Sequence, residues 1–262
     1  MIPDRKRRMR AGAVAATAAL LGFGAGAAQA DEAAAREIVK KMTDYLAAAE
    51  TLSFDFDTSL QVVTEDGQRL DIASSGSMAV ARPDKLRAIR KGGFAEVQAV
   101  FDGKTLSVLN ASANTFGQAE AAGSIDDLIT LLRDTYQRPL PAADLLASDI
   151  GAGMLAEVSD VKDLGSGVIR GEECDHLAFR APEVDFQLWV AQGDVPHPCR
   201  LTITSTTVAG NPGYTIEFSA WGAGAAAADF AFAAPEGATE VDLMAVPDLD
   251  DVAGIFTVKG AN

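Results

Sequence analysis

The chain has 262 residues, of which 48% are hydrophobic and 23% are charged, a balance typical of a globular protein rather than a disordered or fibrous one. Its 37 acidic residues outnumber its 22 basic ones, for a formal net charge of −15, which argues against nucleic acid as a partner. Only two histidines and two cysteines are present, so little material exists for a metal site or for a nucleophile paired with a base.

The amino terminus has the order of a secretory signal peptide. A basic run at residues 5–10 precedes an apolar run from Ala11 to Ala28, and Ala28-Gln29-Ala30 supplies a small-x-small cleavage triplet. The apolar run is too weakly hydrophobic for a transmembrane anchor of about 20 residues. We therefore expect residues 1–30 to be a signal peptide and residues 31–262 to form a single domain with an acidic C-terminal tail. The protein should work in the periplasm without stable membrane insertion.

The first half of the remaining chain is predicted to be a helix followed by six strands. The helix extends from about Glu32 to Glu50, with an apolar stripe at helical spacing. Apolar and polar residues then alternate, first from Leu52 to Val62, in the pattern of an antiparallel strand buried on one face. Short turns separate the six predicted strands, which are Leu52–Val62, Leu70–Val80, Lys85–Lys91, Ala95–Phe101, Thr105–Asn110 and Thr115–Glu120.

A helical insert and five further strands follow. Ser124 is a predicted N-cap for a helix with apolar positions at Leu128 and Leu132, and Pro141 suits the first turn of a second helix. Gly222–Ala228 is of low complexity and is predicted to be a loop. The five strands are predicted near Val158 and at Val168–Arg180, Val184–Val190, Arg200–Val208 and Tyr214–Trp221.

Eleven strands that are apolar on one face have to bury that face. A long twisted sheet does so by curling on itself or by packing helices on its concave side, and three short helices are too few to fill such a sheet. We therefore predict an α+β fold. Its main element is a strongly curved, incompletely closed antiparallel β-barrel of about eleven strands, with the N-terminal helix and the mid-chain helices forming a lid over an apolar cavity. The alternative is a sheet and helices packed without a cavity.

One block of the sequence carries a family resemblance. It reads CDHLAFR from residue 174, DFQLWV from residue 185 and PHPCR from residue 196. With the order of helices and strands, it resembles a predicted periplasmic family classed only as a domain of unknown function and related to the LolA/LolB-like periplasmic lipoprotein carriers. The resemblance covers most of residues 31–240. It implies an unclosed barrel with a helical lid that binds a lipid or acyl chain, and it implies no catalysis.

The sequence does not decide whether the two cysteines form a disulfide. Cys174 and Cys199 belong to a chain that is expected to be exported, and an oxidising compartment favours a disulfide. A strand between them would hold their Cα atoms roughly 10 Å apart, which is too far for a bridge, and the alternation places them on opposite faces. A bend at Pro196 and Pro198 would remove both objections. A disulfide is therefore the first hypothesis and two buried thiols the second.

We expect a non-enzymatic binding or carrier protein for a lipid, an acyl chain or another hydrophobic ligand. We expect neither a cofactor nor a metal, since His176 and His197 lack the further ligands that a zinc site requires. The alternative is an envelope structural or interaction module with a filled core that binds a protein partner. Nine apolar residues are candidates for the ligand site: Phe54, Phe56, Leu60, Met78, Phe101, Phe186 and Leu188 on the sheet, with Leu128 and Leu132 on the lid.

Overall fold

A computed structural model describes residues 24–138, 145–223 and 230–249. Three α-helices lie within these ranges, α1 (Gly24–Ala48), α2 (Ile125–Asp134) and α3 (Ile150–Leu155). The first six strands are β1 (Thr51–Val63), β2 (Arg69–Ala81), β3 (Lys85–Gly92), β4 (Glu96–Phe101), β5 (Thr105–Asn110) and β6 (Thr115–Glu120). The other six are β7 (Asp160–Ile169), β8 (Glu172–Arg180), β9 (Val184–Ala191), β10 (Pro198–Ser205), β11 (Gly213–Ala223) and β12 (Thr239–Val241).

The twelve strands form one sheet in the order β12-β6-β5-β4-β3-β2-β1-β11-β10-β9-β8-β7. Two antiparallel meanders, β1 to β6 and β7 to β11, meet where β1 pairs with β11. The short β12 is parallel to β6. Because β7 and β12 lie at opposite edges of the sheet, the barrel stays open. The fold is therefore the curved, incompletely closed α+β barrel that the alternating sequence predicts.

The alternation of β1 shows how the sequence builds this sheet. Leu52, Phe54 and Phe56 are buried on the concave face, whereas Asp55 between them is exposed. Successive strand residues point to opposite faces, so one apolar and one polar set per strand is enough to give the sheet a dry side and a wet side.

Helix α1 covers the part of the sheet that contains β7 and β9, and it also packs against α3. Its inward residues Ala35, Val39, Met42 and Leu46 recur at helical spacing and are fully buried. The helix begins at Gly24, before the predicted Glu32, in an alanine-rich stretch that favours helix. None of the helices in the described ranges has the length and hydrophobicity needed to cross a membrane.

Helix α2 begins with a capping box. The Asp127 backbone N–H donates to Ser124 Oγ at 3.2 Å, and the Ser124 N–H donates to the Asp127 carboxylate at 2.7 Å. The Ile125 N–H then donates to the Pro83 carbonyl in the turn between β2 and β3. Beyond α2, Leu145 and Leu146 are buried, and Arg82 in the same turn donates to the Leu146 carbonyl at 2.7 Å. We call α2 together with Leu145 and Leu146 the lid.

Cys174 and Cys199 form a disulfide, with an S–S distance of 2.08 Å and a Cα–Cα distance of 6.8 Å. They lie on β8 and β10, and β9 separates these strands, as the sequence predicts. The Cα–Cα distance is shorter than the roughly 10 Å expected across an intervening strand, because the register of β10 against β9 shifts between Pro198 and Arg200. Both cysteines are buried in a small cluster with Ile169 and Ala191, apart from the main core.

Several boundaries differ from the prediction. The predicted strand Val168–Arg180 is divided by a turn at Arg170 and Gly171, which both have positive φ, into the end of β7 and all of β8. Helix α3 includes Gly151 and Gly153, two residues that disfavour helix. Strand β12 was not predicted because three residues are too few for an alternation to show. Residues 1–23, the helix predicted to start at Pro141, most of the loop predicted at 222–228 and Asp250–Asp251 lie outside the described residues.

Candidate ligand-binding cavity

A cavity of about 360 Å³ lies between the lid and the concave face of β1 to β5 and β11. This volume is within the range of small-molecule sites, which is roughly 300–1,000 Å³. Most of the described residues that line it are apolar. The polar ones are Thr58, Arg90, Gln137, Arg138 and Tyr214.

The strand registers arrange the wall of the cavity in rows of paired residues that cross from β1 to β5. The row nearest the turn between β2 and β3, here called the floor row, is at most 2% exposed and belongs to the main core. Its members pair in sequence across the five strands and are Leu52, Val80, Leu86, Phe101 and Leu106.

The next row, two residues farther along each strand, is the apolar row. All five of its residues line the cavity, and they are Phe54, Met78, Ala88, Ala99 and Val108. The two alanines are small, and they lie at the centre of the row on β3 and β4. Short side chains at these positions leave space that larger residues would fill.

The third row is the arginine row, and it introduces polarity. It consists of Phe56, Gly76, Arg90, Val97 and Asn110. Gly76 has no side chain here, and the Phe56 ring occupies the space that a Cβ would need. Arg90 and Val97 line the cavity beside it. One row farther, the hydroxyls of Thr58 and Ser74 are hydrogen-bonded at 2.6 Å.

Aromatic rings from β1 and β11 form the side of the cavity. The Phe54 ring stacks on Trp221 with centroids 4.9 Å apart, and it meets Phe218 edge to face at 5.4 Å. Trp221 also meets Phe218 edge to face at 6.0 Å, and the His197 ring stacks on it at 5.3 Å. The Trp221 Nε1–H is buried and has no acceptor within the described ranges.

The C-terminal strap, residues 242–249, crosses the concave face and ends at the cavity. Leu243 packs directly on Gly117 of β6. If Gly117 carried a Cβ, that atom would be 2.6 Å from the Leu243 Cα, which is too close. Two side chains of the arginine row then hold the strap. Asn110 donates to the Pro247 carbonyl at 2.9 Å, and Arg90 donates to the Leu249 carbonyl at 2.8 Å. Leu249 itself lines the cavity.

The electrostatics of the cavity are cationic. Burial raises the pKa of Tyr214 to about 12, although the nearby Arg90 charge acts in the opposite direction, so the Tyr214 hydroxyl is neutral at physiological pH. Among the described residues lining the cavity, the formally charged ones are Arg90 and Arg138, and none is a carboxylate. This contrasts with the net charge of −15 of the whole chain.

The structure brings four of the nine predicted ligand-site residues to the cavity, namely Phe54, Phe56, Met78 and Leu132. The other five lie elsewhere. Phe101 is in the floor row and Leu128 is buried in the lid, so both support the cavity from behind. Phe186 and Leu188 lie on β9 in the part of the sheet that α1 covers, and Leu60 is half-buried on β1, beyond Thr58.

Sequence reasoning missed the polar lining residues and the whole contribution of β11. The signal for Arg90 was present, because Leu86, Ala88 and Arg90 alternate with outward residues in β3 and must share a face. An arginine on the apolar face of a strand is informative, since charged residues are rarely buried without a reason. Gln137 and Arg138 follow α2 where the chain turns at a positive φ of 52°, which no pattern in the sequence predicts.

The two histidines lie outside the cavity lining. His176 shares a hydrogen bond with Gln187 at 2.8 Å, and its ring stacks on Trp189 at 4.1 Å. His197 Nδ1 contacts the Val195 carbonyl at 2.9 Å. His176 thus lies in the middle of β8 and contacts side chains, whereas His197 immediately precedes β10 and contacts the backbone.

Comparison with known families assigns the chain to one family. Residues 35–244 match the model of a family described as "Predicted periplasmic protein (DUF2092)", and the chain belongs to that family. This is the relationship that the block of sequence around Cys174 and Trp189 predicts. No curated protein matches the chain.

Several solved structures match the chain at low sequence identity and low TM-score. The lipoprotein LppX of Mycobacterium tuberculosis is 14% identical, with 72% of this chain and 96% of that chain covered and a TM-score of 0.39. A putative outer membrane lipoprotein-sorting protein domain from Vibrio parahaemolyticus is 8% identical, with coverages of 76% and 97% and a TM-score of 0.34. A chain of the Pseudomonas aeruginosa MucA/MucB complex is 14% identical, with 75% of this chain and 59% of that chain covered and a TM-score of 0.43. None of these TM-scores reaches 0.5, so the function has to be inferred from the residues of this chain.

Proposed function

We propose that this member of the DUF2092 family is a non-enzymatic periplasmic binding or carrier protein that holds an acyl chain or a similar hydrophobic ligand in the cavity under the lid. The observation that supports this is the apolar row, in which five consecutive paired residues face the cavity and none carries a polar side chain. A cavity with apolar walls gains free energy by exchanging water for hydrocarbon, at about 25 cal/mol for each Å² that is buried.

The position of the cavity favours a carrier over a module with a filled core. An interaction module has no need of an internal cavity, and small residues such as Ala88 and Ala99 at the centre of a sheet are unfavourable for packing unless something else occupies the space. The lid contacts the turn between β2 and β3 through Ile125 and Arg82, and it covers the cavity with Leu132, Leu145 and Leu146.

The direct test is native mass spectrometry of the exported protein, purified from the periplasm without detergent. We expect an additional mass that corresponds to a bound hydrophobic molecule. A second experiment is titration with fatty acids. A ligand-free protein that also binds no fatty acid would overturn the proposal.

A pair of variants locates the binding site. Ala99→Phe places a large ring in the centre of the apolar row, and we expect it to lower fatty-acid affinity by about tenfold or more, because the ring occupies the volume of the ligand. The matched control is Ala79→Phe, since Ala79 lies on β2 opposite Ser53 and Arg87 on the outer face. Equal affinity in the two variants would place the ligand elsewhere.

We also propose that residues 1–30 are removed on export, which leaves residues 31–262 as a mature single domain. Cleavage after Ala30 would divide the described helix α1 but retain all four of its fully buried residues, from Ala35 to Leu46. Amino-terminal sequencing of the periplasmic protein should begin at Asp31. An intact Met1 in that fraction would contradict the proposal.

A further inference from the structure

The cavity is closed at the end that lies near the turn between β2 and β3. On the side of the sheet, the floor row crosses this end, and its residues are at most 2% exposed. On the other side, the lid contacts the same turn, where the Ile125 N–H donates to the Pro83 carbonyl. Arg82 in this turn donates to the Leu146 carbonyl, and the buried side chains of Leu145 and Leu146 line the cavity. The sheet and the lid therefore meet in a blind end.

Leu106 of β5 forms the sheet side of this blind end. Among the described residues that line the cavity, it is the member of the floor row. It pairs with the fully buried Phe101 of β4, and both residues belong to the main core. Side chains in a close-packed core yield little space without a cost in stability, so Leu106 is a rigid stop for anything that enters the cavity along the strands.

The polar residues that the sheet contributes to the cavity lie away from the blind end. Arg90 is in the third row, Thr58 is one row farther, and Tyr214 pairs with Leu60 one row beyond Thr58. Since adjacent rows are two residues apart, about 7 Å along a strand, Thr58 is roughly 20 Å from the floor row. Hydrocarbon gains most where the wall is apolar, so the end of an acyl chain is expected to point toward the floor row.

The cavity has the size for one chain. Its volume of about 360 Å³ is near the lower end for small-molecule sites, which suits one acyl chain rather than several. The space lies over Ala88 and Ala99, the small residues at the centre of the apolar row, and the larger side chains of Phe54 and Met78 flank them on the neighbouring strands.

We propose, building on the function proposed above, that the ligand carries a single straight acyl chain and that Leu106 limits the length of chain that the protein accepts. The chain lies along the apolar row with its methyl end at Leu106. Each methylene inside the cavity is removed from water, which raises the affinity about fourfold. Once the methyl end reaches Leu106, a further methylene stays outside the apolar part of the cavity and adds little.

The test titrates the exported protein with straight-chain fatty acids of every length from eight to eighteen carbons, by calorimetry below each critical micelle concentration. We expect the affinity to rise about fourfold with each added carbon up to one length, and by less than about 1.5-fold with each carbon after it. A rise that continues to the longest chain would overturn the length limit and leave the carrier function standing. If no chain binds, the carrier function itself is overturned.

Variants of β5 assign the limit to one side chain. Leu106→Ala shortens the stop, and the limit should move to chains about two to three carbons longer. The matched control is Leu109→Ala, because Leu109 is also buried on β5 but pairs with Gln98 and Phe116 on the other face of the sheet, so its limit should equal that of the wild type. Leu106→Val, with an expected shift of about one carbon, replaces the alanine variant if that variant does not fold. An unchanged limit in a folded Leu106 variant would contradict the assignment.

Discussion

The two halves of the sheet bury their apolar faces in different ways. In the β7–β10 half, large residues such as Leu177, Phe179 and Leu188 are almost fully buried, and helix α1 packs on β7 and β9. In the β1–β5 half, the corresponding central positions include Ala88 and Ala99, and the short lid leaves a cavity. Both halves show the same alternation of apolar and polar residues. The comparison teaches that alternation determines which face is dry, whereas residue size and helix cover determine whether that face is filled.

Truncation of one residue in each half should show the largest difference. Leu188→Ala removes a fully buried side chain from the filled half and should lower the free energy of unfolding by about 2–5 kcal/mol. Met78→Ala, in the apolar row, should cost roughly half as much, because part of the Met78 side chain faces the cavity and has fewer contacts to lose. Urea unfolding followed by circular dichroism measures both values. Equal losses would mean that the two halves are packed alike.

Removal of the disulfide should affect stability and leave ligand binding unchanged. The bridge joins residues 25 apart in sequence, so Cys174→Ala with Cys199→Ala should cost about 3 kcal/mol through the greater entropy of the unfolded chain. Fatty-acid affinity should stay within error of the wild type, since neither cysteine lines the cavity. A loss of affinity in the folded double variant would show that the two halves are energetically coupled.

Loss of the lid cap should have a smaller and more local effect. Ser124→Ala deletes the hydroxyl that accepts the Asp127 N–H, and loss of such an N-cap typically costs about 1 kcal/mol. Amide hydrogen exchange should become faster in α2. The amides of α1, which packs on the other half, serve as the internal control, and equal acceleration in both helices would contradict a lid that opens separately.

Acid should also weaken the capping box of the lid helix, and of the four predictions this one has the smallest expected effect. Hydrogen bonds from the Ser124 backbone N–H and side chain hold the pKa of the Asp127 carboxyl below its ordinary value. A carboxyl whose pKa is lowered by folding stabilises the folded state above the unfolded pKa of about 3.9, and this contribution is lost as the pH falls through the lowered folded-state value. The ratio of exchange rates in α2 and α1 should therefore rise in acid. In Asp127→Asn it should change less with pH.

The sequence was sufficient to predict the strands of both meanders, the open barrel and the apolar face of β1. It was not sufficient to predict which half is filled, because a period of two residues identifies a face but contains no information about what packs against it. Phe186 and Leu188 were therefore indistinguishable from Phe54 and Met78 as candidates for the ligand site. Only the position of α1 separates them.

The structure confirms the disulfide, which was the first of two hypotheses, and it shows that Arg90 was overlooked. The bridge depends on a register shift between Pro198 and Arg200, and a bulge of this kind follows from three-dimensional pairing rather than from alternation. Arg90, in contrast, could have been predicted from the sequence as a residue that lines the cavity. It is two residues from Ala88 and four from Leu86 in β3, so it lies on the same concave face. A charge that interrupts an apolar face is a stronger indication of a site than the apolar residues around it.

An unclosed barrel has two strand edges at which another chain could add by backbone hydrogen bonding, and long flat edges of this kind promote aggregation. Here neither edge strand offers a long regular surface. The pairing of β7 with β8 is irregular between Asp163 and Ser166, and the ion pair of Asp160 with Lys162 adds charge to the same strand. At the other edge, β12 has three residues. The barrel can thus remain open, with room for a lid and a cavity, while its edges are poor templates for self-association.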